Sequence, residues 1–142
     1  MTDCRKIFFD TAPLIYLLDK DATWGQVMRE TVTHFIEKDI MMVSSVVTCM
    51  EYLVHPYRDG NQEKIDAFWE LLDACSLNIC PITRETAALA AKLRSQYGSL
   101  KGMDALQLSI SCIENCDVFL TNDKRLCQCK EAHCILIDDF VK

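Results

Sequence analysis

The stretch Ile7-Phe8-Phe9-Asp10-Thr11-Ala12-Pro13 runs from apolar residues through an acid into residues suited to opening a helix. A continuous apolar run without strict alternation fits a strand covered on both faces, since neither face meets water. Proline is tolerated in a first helical turn, where its missing N–H would have had no partner. This first run spans residues 7–9, and four more of the same character lie at residues 40–43, 77–82, 118–121 and 135–137.

Segments of helical period separate these runs. Residues 24–37 carry Trp24, Val27, Met28, Phe35 and Ile36, and residues 63–74 carry Ile65, Phe68, Trp69 and Leu72 at spacings of three and four. Residues 84–97 are rich in alanine behind a capping Thr83, and Gly98 suits their C-terminal stop. Ser44-Ser45 caps a helix expected to reach His55, with Pro56 ending it. Its apolar stripe reads Val46, Val47, Met50, Leu53 and Val54, and Glu51 lies on the flank. In residues 102–116 the large apolar positions are Met103, Leu106, Ile110 and Ile113, leaving Asp104, Gln107 and Ser111 on the polar side. Strands alternating with helices predict an α/β fold: a three-layer α/β/α sandwich with a mostly parallel five-stranded sheet, as one domain over residues 1–142.

Composition narrows the classes. Half the residues are apolar and a quarter charged, with only four Gly and three Pro, a globular balance and not a disordered one. No apolar run approaches the ~20 residues of a membrane span, and the N-terminus lacks the layout of a signal peptide, so a cytoplasmic protein is expected. Nine cysteines at irregular spacing then read as reduced, small core hydrophobes. The Cys127, Cys129, His133, Cys134 group lacks the paired knuckle of a zinc site. A net charge of −6 argues against bulk electrostatic coating of nucleic acid but not against a nucleic-acid enzyme, because bound cations offset acids gathered at a site.

In open parallel sheets, ligands bind outside the carboxyl ends of the strands. Asp10 follows the first run directly and Asp123 follows the fourth, in Phe119-Leu120-Thr121-Asn122-Asp123. Glu51 lies in the helix after the second run, and Asp104 in the first turn of the helix before the fourth. Singly, each has an ordinary structural role as a cap, a turn former, a dipole partner or a solvated boundary residue. Together they suggest a four-carboxylate centre for Mg²⁺ or Mn²⁺, whose charge relieves the repulsion among the acids. Two such ions could activate a water and stabilise the leaving oxygen in phosphodiester cleavage. Lys101, just before the Asp104 helix, and Lys124-Arg125, just after Asp123, are candidates to meet RNA phosphates.

At these same residues the chain resembles the PIN-domain nucleases, in particular the VapC-type toxin ribonucleases of prokaryotic toxin–antitoxin pairs. Phe8-Phe9-Asp10-Thr11-Ala12-Pro13-Leu14-Ile15 resembles the first acidic motif, and Ser44-Ser45 with Glu51 the second. Met103-Asp104-Ala105-Leu106-Gln107-Leu108 resembles the third and Leu120-Thr121-Asn122-Asp123-Lys124-Arg125-Leu126 the fourth. The resemblance spans essentially the whole chain and implies endoribonuclease activity. It places Asp10, Glu51, Asp104 and Asp123 as catalytic, metal-binding acids, with Thr11, Thr121 and Asn122 in support. It also implies a homodimer and, for toxin members, a protein antitoxin as partner.

Two rivals from other classes frame that expectation. A phosphoaspartyl phosphatase would want a second aspartate two residues after Asp10, where Ala12 stands, and a receiver domain would have to borrow Asp138-Asp139 after the last run. A catalytically silent RNA- or protein-binding module on the same fold is the other, since fold alone does not establish function.

Overall fold

The computed structural model describes residues 4–140. Among them five strands form one parallel sheet: β1 (Lys6–Phe9), β2 (Met41–Ser45), β3 (Asn78–Cys80), β4 (Val118–Thr121) and β5 (Cys134–Leu136), in the order β3-β2-β1-β4-β5. The α-helices are α1 (Thr11–Leu18), α2 (Gly25–Glu37), α3 (Val46–Arg58), α4 (Gln62–Ala74), α5 (Arg84–Gln96), α6 (Gly102–Ile113) and α7 (Ile137–Phe140). A 3-10 turn, Lys124–Gln128, follows β4.

The central strands earn their place by burial on both sides. Ile7, Phe8, Phe9, Val118 and Phe119 have no exposed surface. Phe8 faces one layer, where its ring stacks on Phe119 at 5.2 Å among Val43, Leu93 and Leu108. Ile7 and Phe9 face the opposite layer with Met28, Phe35 and Leu120. Each such side chain contributes ~1.5–3 kcal/mol over an exposed one, so the apolar runs position the sheet by themselves. A third cluster joins α3 to α4, with Tyr52 stacked on Phe68 at 4.8 Å.

Several expectations need correction. Pro56 does not end α3, which continues to Arg58. Its missing N–H removes one ladder bond, but the final turn is held from beyond by Asp59 N–H on the His55 carbonyl (2.9 Å) and Asn61 N–H on the Pro56 carbonyl (2.8 Å). Gly60, at φ +63°, makes that reversal without the clash of a side chain. Of the expected stripe of α3 only Val47 and Leu53 are buried: Val46, Met50 and Val54 are exposed, and Cys49, Tyr52 and Pro56 are buried instead. The buried face is set by α4, against which the Tyr52 ring packs, and by Ile15 and Leu18 of α1. In α6 Gln107 and Ser111, expected on the polar side, are buried with Ala105, Leu108, Ser109 and Ile110, while Met103, expected on the apolar face, is exposed. The fifth strand begins one residue earlier than its apolar run, and Ile137 starts α7. All nine cysteines are free thiols, and no described helix is long and apolar enough to cross a membrane.

Candidate active site

Parallel strands deliver their carboxyl ends to one edge of the sheet, and the acids are carried there by short connections. Asp10 is the residue between β1 and α1, anchored by its own N–H on the Leu120 carbonyl at 2.9 Å. It occupies the cap position of α1, yet its side chain makes no capping bond. Instead its Oδ2 accepts a 2.7 Å bond from the Thr121 hydroxyl. Thr121 Oγ1 in turn accepts the Asp123 N–H at 3.0 Å, so one buried hydroxyl fixes the acid after β1 relative to the acid after β4.

Glu51 is exposed on α3, and its Oε1 accepts a 2.6 Å bond from the Thr11 hydroxyl. Behind that bond lies a buried polar network that the sequence reading missed. Thr11 has one hydroxyl proton and spends it on Glu51, so Thr48 donates in the 3.2 Å Thr48–Thr11 contact. Thr48 Oγ1 receives Gln107 Nε2 at 2.7 Å and lies 3.0 Å from Ser44, whose own proton goes to the Phe9 carbonyl at 2.9 Å, while the Gln107 carbonyl accepts from Ser45. Ser44, Ser45, Thr48 and Gln107 are each at most 1% exposed. The one signal available was polar residues inside an otherwise apolar strand and helix. Among the described residues no buried side-chain polar atom lacks a partner.

The electrostatics run in two directions. Burial pushes the Asp10 carboxyl up to about 6, Thr121 and the Thr11 N–H oppose this, and Asp104 and Glu51 reinforce it by repulsion. Asp104, in the first turn of α6, is likewise raised, first by burial and then by the charges of Asp123 and Glu51. Asp123 is held below the usual carboxylate range, chiefly by hydrogen bonds from Arg125. It also accepts the Arg125 N–H as cap of the 3-10 turn, so its ordinary structural role is real as well. The acids thus stand within electrostatic reach of one another. As they lie, no three acidic, histidine or cysteine groups among the described residues converge on a single ion position, and this includes the cysteines near the C-terminus.

Of the basic candidates, Lys101 and Arg125 line a small cavity of about 50 Å³ with Asp104. Lys124 is exposed on the 3-10 turn, and its charge is felt at Cys127. Asn122 donates to the Tyr16 hydroxyl at 3.0 Å, and Tyr16 stacks on Trp24 with centroids 6.5 Å apart.

The raised Asp10 carboxyl has a thermodynamic consequence. Its folded value lies above its ordinary one, so its contribution to stability is full below pH ~4 and is lost as pH rises through about 6. In EDTA the chain is expected to lose roughly 3 kcal/mol from this group between those limits, and Asp10→Asn to abolish that part of the loss. Denaturant midpoints at pH 5 and pH 7.5 check it, and equal pH dependence in both proteins would refute it.

At the carboxyl edge of the parallel sheet Asp10 and Asp104 are each repelled by the charge of other acids there. The chain belongs to the PIN domain family, whose model matches residues 7–132. Among solved structures, a chain of VapBC2 from Rickettsia felis, bound to a promoter DNA fragment, superposes with a TM-score of 0.77 at 13% identity, covering 92% of this chain and 98% of that one. A chain of a toxin–antitoxin complex from Klebsiella pneumoniae gives 0.71 at 20% identity, covering 92% and 97%. FitAcB from Neisseria gonorrhoeae gives 0.67 at 17%, covering 91% and 96%. At these identities the likeness is one of fold. No curated protein matches the chain by sequence. PIN domains are generally nucleases that use divalent metal ions. The donor set here fits such an ion: the groups are carboxylate oxygens, and the charged forms of Asp10 and Asp104 are penalised by burial and mutual repulsion that a hard cation relieves.

Proposed function

We propose that the chain is a divalent-cation-dependent endoribonuclease, a cytoplasmic toxin whose activity a protein antitoxin controls. The observation that carries this is Asp10: a carboxyl buried at the end of the central strand and repelled by Glu51 and Asp104, an arrangement that a bound cation would stabilise. Asp10, Glu51, Asp104 and Asp123 would hold Mg²⁺ or Mn²⁺, which when bound neutralises phosphate charge and acidifies water. The chain's own residues supply the rest. Thr121 fixes the Asp10 carboxylate and Thr11 fixes Glu51, so neither acid must be ordered when substrate arrives. Asn122, bonded to Tyr16, steadies the segment between Thr121 and Asp123. Lys101 and Arg125 offer positive charge beside Asp104 to a phosphate of the RNA.

Two partners accompany this function. The superposed structures include toxin–antitoxin complexes, which supports an antitoxin here. A homodimer is supported by Val46, Met50, Val54 and Tyr57, which recur on one side of α3 and are 40%, 47%, 40% and 64% exposed. The function is tested by incubating the chain with mixed RNA and with single-stranded DNA of matched length. Cleavage of RNA with Mn²⁺ or Mg²⁺, and its loss in EDTA, is expected. RNA binding without cleavage under any divalent ion would favour the silent binding module.

A further inference from the structure

Asp123 differs from the other three acids in already having a cation upon it. Arg125 Nη2 lies 2.8 Å from Oδ2 and Nε 3.0 Å from Oδ1, so both carboxylate oxygens face one guanidinium. Such a two-toothed pair is specific in geometry. It is also easily opened, because the Arg125 side chain is 70% exposed, and exposed pairs are among the weaker electrostatic contacts in proteins. A guanidinium that lets go has somewhere to remain. It already lines the small cavity with Lys101 and Asp104, and its charge is felt at Asp104.

We infer that Arg125 is a positioning residue that serves as the internal counterion of Asp123 until a divalent cation arrives, then yields the carboxylate and turns to the RNA phosphate. This rests on the metal-dependent ribonuclease function and adds a linkage to it. One side chain competes with the metal and favours the substrate, so loading the metal releases a phosphate ligand.

Opposite effects on two ligands are the signature. Calorimetric titration of the full chain with Mn²⁺, without RNA, is expected to give about three- to fivefold tighter binding for Arg125→Gln than for the wild type. Lys124→Gln removes the same charge one residue away without touching Asp123, and should change Mn²⁺ affinity less. The gain from Arg125→Gln should vanish when Asp123 is also changed to Asn. On an Asp10→Asn background, which prevents cleavage, and at Mn²⁺ concentrations that saturate that variant, Arg125→Gln should weaken RNA binding. A merely structural role would weaken both ligands together. Equal effects of Arg125→Gln and Lys124→Gln on Mn²⁺, weaker Mn²⁺ binding, a gain that survives Asp123→Asn, or unchanged RNA binding would each overturn the linkage. If Asp10→Asn alone leaves Mn²⁺ binding unchanged, the metal centre itself is misplaced and both readings fall. If it weakens Mn²⁺ binding while Arg125→Gln does not alter it, only the linkage falls.

Discussion

Asp10→Asn and Asp123→Asn are each expected to lower RNA cleavage on the order of a hundredfold or more, with the fold intact. Both remove a carboxylate from the proposed centre, and losing one preorganised charge-stabilising group from an active site typically has an effect of that size. The reasons for tolerance differ. Asp10 is buried, but asparagine has its shape and keeps an oxygen to accept the Thr121 hydroxyl, while the burdensome charge disappears. Asp123 loses its pair with Arg125, a solvent-exposed contact that contributes little to stability. Cleavage assays at saturating Mn²⁺, beside circular dichroism of each variant, check both halves. Persistent cleavage in the two variants would remove the basis for the carboxylate centre.

The second large effect concerns the substrate track. Lys101→Ala with Arg125→Ala, on an Asp10→Asn background, is expected to weaken RNA binding and flatten its salt dependence. Each lost phosphate contact on a single strand reduces the slope of log affinity against log salt by ~0.7, so the pair should remove about 1.4. Lys101 and Arg125 share the cavity beside Asp104, whereas Lys124 does not line it. Adding Lys124→Ala to the double variant should therefore change the slope little. Equal contributions from all three would mean that RNA crosses the face of the 3-10 turn; an unaltered slope would place its path elsewhere.

What could be read from the sequence follows from where each signal resides. The central strands were legible because Phe8-Phe9 and Val118-Phe119-Leu120 are apolar on both faces, a property of the residues themselves. Helix α5 was legible because Thr83 caps it locally, bonded to Thr86 across three residues. The buried face of α3 was not, because Val46, Met50 and Val54 are as apolar as the residues that pack. The arrival of α4, and of Ile15 and Leu18 from α1, decides which side is covered. Pro56 misled for a related reason, since the contacts that keep its turn helical come from Asp59, Gly60 and Asn61 beyond it.

Asp10 and Asp123 stood out by position after strands, and Glu51 and Asp104 by their places on flanking helices, yet their supports did not. Gln107 bonds Thr48, 59 residues away in sequence, and Thr121 bonds Asp10 across 111. No local pattern encodes such pairs. The 3-10 turn has five residues and one buried side chain, Leu126, too little periodicity to announce itself. Its consequence for the site is large all the same, because it is this turn that brings the Arg125 guanidinium back onto Asp123.

The most direct measurement is the chemistry of the products. A defined single-stranded RNA would be cleaved with Mn²⁺ in ¹⁸O-labelled water, and the new ends weighed by mass spectrometry. Hydrolysis by water, as proposed for the four-carboxylate centre, predicts one linear phosphate end carrying a single ¹⁸O, one hydroxyl end, and no product in EDTA. Products that end in a 2′,3′-cyclic phosphate, or cleavage that continues in EDTA, would contradict it.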